Sequence, residues 1–242
     1  MSLKVASFNI HNGMDVKHDF SVLAKDIVDS ELDVVGLQEI DRFAKRSRYQ
    51  DTVALLKTHT GMPYAAYAPA LEYTVDGRFR DYAYDKGGAA PEGSGAYGVA
   101  VLSKYPILKA DYRYLPKTTE KEEQRAVLYT QIDVNGTVFN FFTTHAEGGA
   151  SSAIQLAAIA EWARDVGHYV VTGDFNCQDF ALFYEKFPGQ TLAMNSENGL
   201  KTVGNDRTID NIVISADIAL VASSVNRTGH SDHHMPIAVI EI

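Results

Sequence analysis

Asp33-Val34-Val35-Gly36-Leu37-Gln38-Glu39 is a short, nearly unbroken apolar run that ends in an amide and a carboxylate. An apolar run of that length, rich in valine at its start and bounded by polar residues, suits a buried strand. Upstream, Leu3-Lys4-Val5-Ala6-Ser7-Phe8-Asn9-Ile10 reads as another buried strand, followed by a turn-like His11-Asn12-Gly13. Between the two, Asp19 is placed to cap a helix in which Phe20, Leu23, Ala24 and Ile27 follow the i, i+3, i+4, i+7 spacing. The order is strand, helix, strand, with polar residues at the strand ends.

A similar order returns in the second half. Residues 127–134 and 137–144 are strand-like runs around Asn135-Gly136, a dipeptide that favours a tight hairpin. Ser152 and Gln155 have the spacing of a capping box for a helix with Leu156, Ile159, Ala160 and Ala163 on one face. Tyr169-Val170-Val171-Thr172-Gly173-Asp174 follows as a strand that again ends in a carboxylate. Two halves of like order predict an α/β fold of two sheets packed face to face with helices outside. Between the halves, residues 73–98 are rich in Gly, Asp and Tyr and lack apolar periodicity, so they read as a functional loop or a surface insertion. A strand resumes at 97–102 and is stopped by Lys104-Tyr105-Pro106.

The 242 residues, 45% of them hydrophobic, are expected to form a single domain over 1–242. With 22 Lys and Arg against 31 Asp and Glu, the formal charge of −9 is opposite in sign to the footprint of a protein that grips polyanions. That disfavours long nucleic acid, although a bound cation or a local basic rim can override net charge. The single cysteine, Cys177, excludes an intramolecular disulfide and a cysteine-based zinc site, and reads as a packing residue. No run approaches the ~20 apolar residues needed to span a bilayer, and no signal-like segment precedes the first strand. The expected location is cytoplasmic, with secretion the alternative if a leader has been removed. No obligate protein partner is indicated.

Six segments place acids, amides or imidazoles at the ends of apolar runs: Phe8-Asn9-Ile10, Leu37-Gln38-Glu39, Thr143-Thr144-His145, Gly173-Asp174-Phe175-Asn176, Ile209-Asp210-Asn211 and Ser231-Asp232-His233. Strand ends facing one way create a convergent polar site. Carboxylate and amide oxygens without thiolate suit a hard cation such as Mg²⁺ or Mn²⁺. Imidazole beside carboxylate suits acid and base work near neutral pH.

On these segments the chain resembles the endonuclease/exonuclease/phosphatase superfamily, which includes deoxyribonuclease-like nucleases, abasic-site endonucleases, sphingomyelinases, inositol-polyphosphate phosphatases and deadenylases. The matching stretches at 7–13, 37–41, 98–107, 143–145, 173–176, 208–215 and 230–233 occur in family order across nearly the whole chain. The resemblance implies a four-layer α/β sandwich whose two mixed, largely antiparallel sheets pack face to face with helices outside. It implies metal-dependent hydrolysis of a phosphate ester, with Glu39 as principal metal ligand, Asn9 nearby and Asp232 as a further ligand. His233 resembles the family's catalytic histidine, and Asp210 the carboxylate that orients it. Asp174 resembles the aspartate that positions or deprotonates the attacking water, with the choice of base between Asp174 and His233 left open. Asn176 and His145 resemble residues that contact the scissile phosphate.

Two departures stand out. Pro236 lies three residues after His233, where many relatives leave only one residue between histidine and proline, and Asn211 stands where many carry an aromatic or histidine. His230 and His234 flank the motif, and His233 is chosen because it follows Asp232 directly. Beyond Glu39, the stretch from Asp41 to Arg48 carries four basic residues that read as a phosphate-binding rim or a solvated loop. Arg46, whose pairing with Ser47 resembles a segment of many bacterial relatives, and Arg125 are the candidate substrate-binding residues. The expected substrate is a phosphoester: a small molecule, a lipid head group or nucleic acid. A phosphodiesterase is the first reading; a phosphomonoesterase on the same scaffold and a catalytically silent binding protein are the alternatives.

Overall fold

The computed structural model describes residues 1–73, 79–81, 95–204 and 206–242. The run from Asp33 becomes strand β2 (Val34–Arg42), paired in parallel with β1 (Ser2–Asn9) across helix α1 (Phe20–Asp29). Asp19 caps α1, its side chain accepting from the Ser21 backbone N–H. Then come α2 (Thr52–Thr60), β3 (Tyr64–Tyr73), β4 (Phe79–Asp81), β5 (Gly95–Ser103) and β6 (Ile107–Tyr114). The second half runs β7 (Ala126–Val134), β8 (Thr137–His145), α3 (Ser152–Val166), β9 (Tyr169–Asp174), α4 (Phe180–Lys186), β10 (Thr191–Leu192), β11 (Asp210–Ile214), β12 (Ala219–Asn226) and β13 (Met235–Glu241).

Among the described residues the strands form two sheets, in the orders β12-β13-β1-β2-β5-β3-β4 and β10-β11-β9-β8-β7-β6. Each sheet contains one parallel pair, β1 with β2 and β8 with β9, and is otherwise antiparallel. Three apolar layers define the sandwich. Val34, Val101, Phe141, Val170 and Ile212 pack between the sheets, Val35 and Leu102 lie under α1 and α2, and Val171, Phe142 and Trp162 belong to the layer under α3. Val34 and Val35 point to opposite faces because side chains alternate along a strand, and both faces are buried. That is why β2 reads as a continuous apolar run. The Asn135-Gly136 hairpin forms as expected, with both residues at positive φ, 54° and 94°.

The capping box expected at Ser152 and Gln155 does not form. Ser151 is the N-cap residue of α3 and makes no side-chain cap bond. Gln155 is fully buried, so its amide must satisfy both of its ends. Its oxygen accepts from the Glu147 N–H at 2.8 Å and its nitrogen donates to the Pro116 carbonyl at 2.9 Å, tying two loops to the helix. Of the stretch read as a loop at 73–98, both ends and a short middle segment are strand, since β3 pairs with β4 and β5. The remainder, 74–78 and 82–94, lies outside the described residues.

Gly36 sits at a close approach of the two sheets. A Cβ there would meet Thr172 Oγ1 at 2.2 Å and Thr143 Oγ1 at 2.4 Å, so glycine lets the ends of β2, β8 and β9 approach one another. Gly36→Ala is expected to cost about 1–3 kcal/mol through overpacking, measured by urea unfolding. Unchanged stability would mean that the sheets separate there without penalty.

Candidate active site

The end of β2 is bulged. Leu37 pairs with Ala100 and Ile40 with Gly98, so Gln38 and Glu39 together stand against Val99. A bulge of this kind re-aims side chains, and here it splits two neighbours. Gln38 turns into the core, donating to Thr143 Oγ1 at 2.8 Å and accepting from Ser7 Oγ at 3.2 Å. Glu39 takes φ 58°, a left-handed backbone conformation uncommon for glutamate. Its carboxylate accepts from Asn9 Nδ2 at 3.2 Å and from Asn12 Nδ2 at 3.5 Å, and it makes no ion pair among the described residues.

Asn9, at the end of β1, joins the two sheets. Besides Glu39, its Nδ2 donates to Asp174 Oδ2 at 3.0 Å, while its Oδ1 accepts from the His11 N–H at 3.0 Å. Asp174 ends β9 and is almost fully buried. Its Oδ1 accepts from the Asn176 N–H at 2.9 Å, and its Oδ2 lies 3.5 Å from His145 Nε2 and 3.6 Å from His233 Nε2. One carboxylate oxygen therefore faces three of the other candidate residues.

Asp210 starts β11 directly opposite Asp174. Burial and then the nearby Asp210 charge raise the Asp174 carboxyl to about 7. His233 Nδ1 faces both oxygens of Asp210, at 3.1 and 2.9 Å. Burial works against the charged imidazole, but the charge of Asp210 and its hydrogen bond outweigh it and raise His233 to about 9. His145, at the end of β8, has the opposite surroundings. Its Nε2 lies 3.2 Å from Asn176 Nδ2, and its Nδ1 lies 3.2 Å from the Tyr97 hydroxyl and 3.4 Å from Arg125 Nη1. Burial, then the Arg125 charge, hold it well below the ordinary histidine range.

The structure thus gathers Asn9, Glu39, His145, Asp174, Asn176, Asp210 and His233. Asp232 stands at the rim with an exposed side chain, 3.5 Å from His11 Nδ1, which also pairs with Asp15 at 2.8 Å. Arg125 reaches the site through His145 and is tied to Glu147 at 3.0 Å. Arg46 forms a two-pronged pair with buried Asp41, at 2.7 and 2.8 Å, and lies over the Tyr97 ring. Asn211 is buried, accepting from Met194 N–H and donating to the Met194 carbonyl. This pins β11 to the segment after β10. His230 pairs with Asp26 of α1 at 2.9 Å. The longer exit toward Pro236 is taken up by His234, whose N–H donates to the Thr202 carbonyl at 2.6 Å before β13 begins. Sequence reasoning missed Tyr97 and Asn12 as members of the site. Tyr97 opens a strand-like run and Asn12 lies in the polar turn after β1, but neither carries a mark of its own.

Both raised groups make the folded chain hold protons that the unfolded chain releases. For Asp174 this spans its ordinary 3.8 to about 7, and for His233 its ordinary 6.5 to about 9. The contribution of each is full below the lower value and lost as pH rises through the higher one. Metal-free protein is therefore expected to lose stability from this site as pH rises across these windows, by up to about 1.4 kcal/mol per pH unit for each proton. Thermal unfolding with chelator present checks this, and Asp174→Asn removes the lower window. A lower window that persists in that variant would contradict the assignment.

Fold and site together define an α/β sandwich whose polar strand ends converge on a buried Asp/His cluster. The family model of the endonuclease/exonuclease/phosphatase family matches residues 6–233, and the chain belongs to that family. Its members are metal-dependent phosphoesterases. A structure described as an endonuclease/exonuclease/phosphatase from Beutenbergia cavernae DSM 12333 is similar at TM-score 0.79 and 19% identity, over 100% of this chain and 72% of that one. A mannosyl-6-phosphatase from Bacteroides thetaiotaomicron VPI-5482 is similar at TM-score 0.69 and 16% identity, over 99% of this chain and all 100% of that one. The human Nocturnin catalytic domain follows at 0.71 and 14%, over 99% and 94%. A search of curated protein sequences returned no match. No helix among the described residues is long and apolar enough to cross a membrane.

Proposed function

We propose that the protein hydrolyses a phosphodiester by in-line attack of water, with Mg²⁺ or Mn²⁺ held at Glu39. The observation that carries this is the single Asp174 oxygen faced by Asn9, His145 and His233. The donor set fits a hard cation, because Glu39 is a partly exposed carboxylate satisfied only by amide N–H groups among the described residues. Glu39, Asn9 and Asp232 are the residues that would hold it. When bound, the ion polarises a phosphoryl oxygen and offsets charge on the leaving oxygen.

The two raised groups divide the proton work. His233 is kept charged by Asp210 and has no free lone pair at neutral pH, so it stabilises the charge that develops at phosphorus. Asp174, poised near neutrality, accepts the proton of the attacking water. His145 and Asn176 present N–H groups to the phosphoryl oxygens. Arg46 and Arg125 shape the wall beside them.

A phosphomonoester substrate is the second reading, favoured by the likeness to the mannosyl-6-phosphatase. Turnover of bis-p-nitrophenyl phosphate and p-nitrophenyl phosphate, compared with plasmid DNA and sphingomyelin in Mg²⁺ and in Mn²⁺, separates the two. The diester is expected to turn over faster. A faster monoester would replace the first reading with the second.

A further inference from the structure

Tyr97, on β5, is a buried phenol beside the site, and the proton chemistry proposed for Asp174 and His233 makes no use of it. Its hydroxyl lies 3.2 Å from His145 Nδ1, and Arg125 Nη1 approaches the same nitrogen at 3.4 Å. A guanidinium has only N–H donors, so its approach favours a lone pair on the nitrogen facing it, although 3.4 Å is long for such a bond and Tyr97 makes the shorter contact. The phenol can turn its O–H to the same lone pair. Burial, and then the charge of Glu39, hold the Tyr97 hydroxyl well above the ordinary tyrosine range, so it keeps its proton.

The other side of the ring agrees. His145 Nε2 lies 3.5 Å from an Asp174 oxygen, which can only accept if ionised, and an N–H is the group suited to that place. The Tyr97 oxygen could itself accept from Nδ1, but Arg125 beside it could not; among the described residues Asn176 Nδ2, at 3.2 Å from Nε2, favours the reverse arrangement. Asn176 Nδ2 has another acceptor in the Ala146 carbonyl, at 3.1 Å. Among the described residues, the charged or titratable groups around His145 are Tyr97, Arg125, Asp174, His233 and, behind Arg125, Glu123 and Glu147.

We infer that Tyr97 is a positioning residue which, with Arg125, fixes His145 as a neutral imidazole carrying its proton on Nε2. The two histidines of the site are thereby set to opposite states: His233 is paired with a carboxylate and charged, whereas His145 is faced by donors and neutral. Arg46 adds to the arrangement by lying 5.2 Å above the Tyr97 ring while Asp41 holds it from behind. In the phosphoester reading, on which this last step rests, His145 offers an oriented hydrogen bond to a phosphoryl oxygen and has no second proton to lose. The tautomer itself does not depend on that reading.

Long-range ¹H–¹⁵N correlation spectra of the full chain test it, with His145 assigned by the signal lost in His145→Gln. In the wild type, Nε2 is expected to be pyrrole-like and Nδ1 pyridine-like around neutral pH. In Tyr97→Phe, which keeps the ring and leaves only the longer Arg125 contact at Nδ1, the Nδ1-protonated tautomer is expected to appear beside the Nε2 one, and kcat to fall on the order of tenfold. A wild-type Nδ1 that carries the proton, or a Tyr97→Phe spectrum identical to the wild type, would overturn the inference. The wild-type spectrum decides the tautomer even where the variant does not fold. If the spectra behave as expected but no phosphoester is hydrolysed, the tautomer stands and the functional reading fails.

Discussion

Glu39→Gln is expected to lower phosphoester turnover by about a thousandfold while leaving the fold intact. Gln is nearly isosteric and keeps an oxygen for Asn9 Nδ2, so the link between the ends of β1 and β2 survives. What is lost is the charge that would hold a divalent cation, and that cation's electrostatic contribution is worth several kcal/mol, or about three powers of ten in rate. Mn²⁺ binding followed by calorimetry is expected to weaken in parallel. The left-handed backbone adds a second expectation. Glycine adopts φ 58° without strain, so Glu39→Gly should be as inactive as Glu39→Gln yet about 1 kcal/mol more stable than the parent. A Glu39→Gly protein less stable than the parent, with Glu39→Gln destabilised alongside it, would mean that the bulge is held by the carboxylate and not imposed on it.

Asp174→Asn is the other large effect. The amide cannot accept a proton, and loss of a positioned general base costs about 10²–10⁴ in kcat. Wild-type kcat is expected to rise as pH passes the Asp174 value of about 7, because the carboxylate must be ionised to act. In Asp174→Asn this limb should vanish, leaving a low and flat profile through that range. A variant that keeps the limb would assign it to another group, and His233→Gln is the comparison to make. His233 is charged up to about 9 and its charge lowers the Asp174 carboxyl, so its loss is expected to lower kcat and to shift the limb to higher pH without abolishing it.

The strands that build the site were legible because both faces of each sheet are covered, which writes β1, β2 and β9 as apolar runs ending in polar residues. The site residues were legible for the same reason, as the first polar groups past those runs. Their mutual geometry was not. Asp174 faces Asp210 because β9 and β11 pair in one particular register, and no local spacing encodes that. The bulge that turns Gln38 inward and Glu39 outward arises from the mismatch with β5, a partner far away in the chain. Gln155 had the spacing of a cap, but its partners Glu147 and Pro116 come from two separate loops, and the long-range bonds prevail over the local one. Tyr97 escaped notice because its role depends on His145 from the opposite sheet.

Metal-dependent hydrolysis at Glu39 and Asp174 is most directly tested by following bis-p-nitrophenyl phosphate hydrolysis through one cycle of chelation. Turnover in Mn²⁺ should disappear on addition of EDTA and return when Mn²⁺ is restored in excess, for the wild type and not for Glu39→Gln. Turnover that persists in EDTA, or that Glu39→Gln retains in full, would contradict the metal-assisted mechanism.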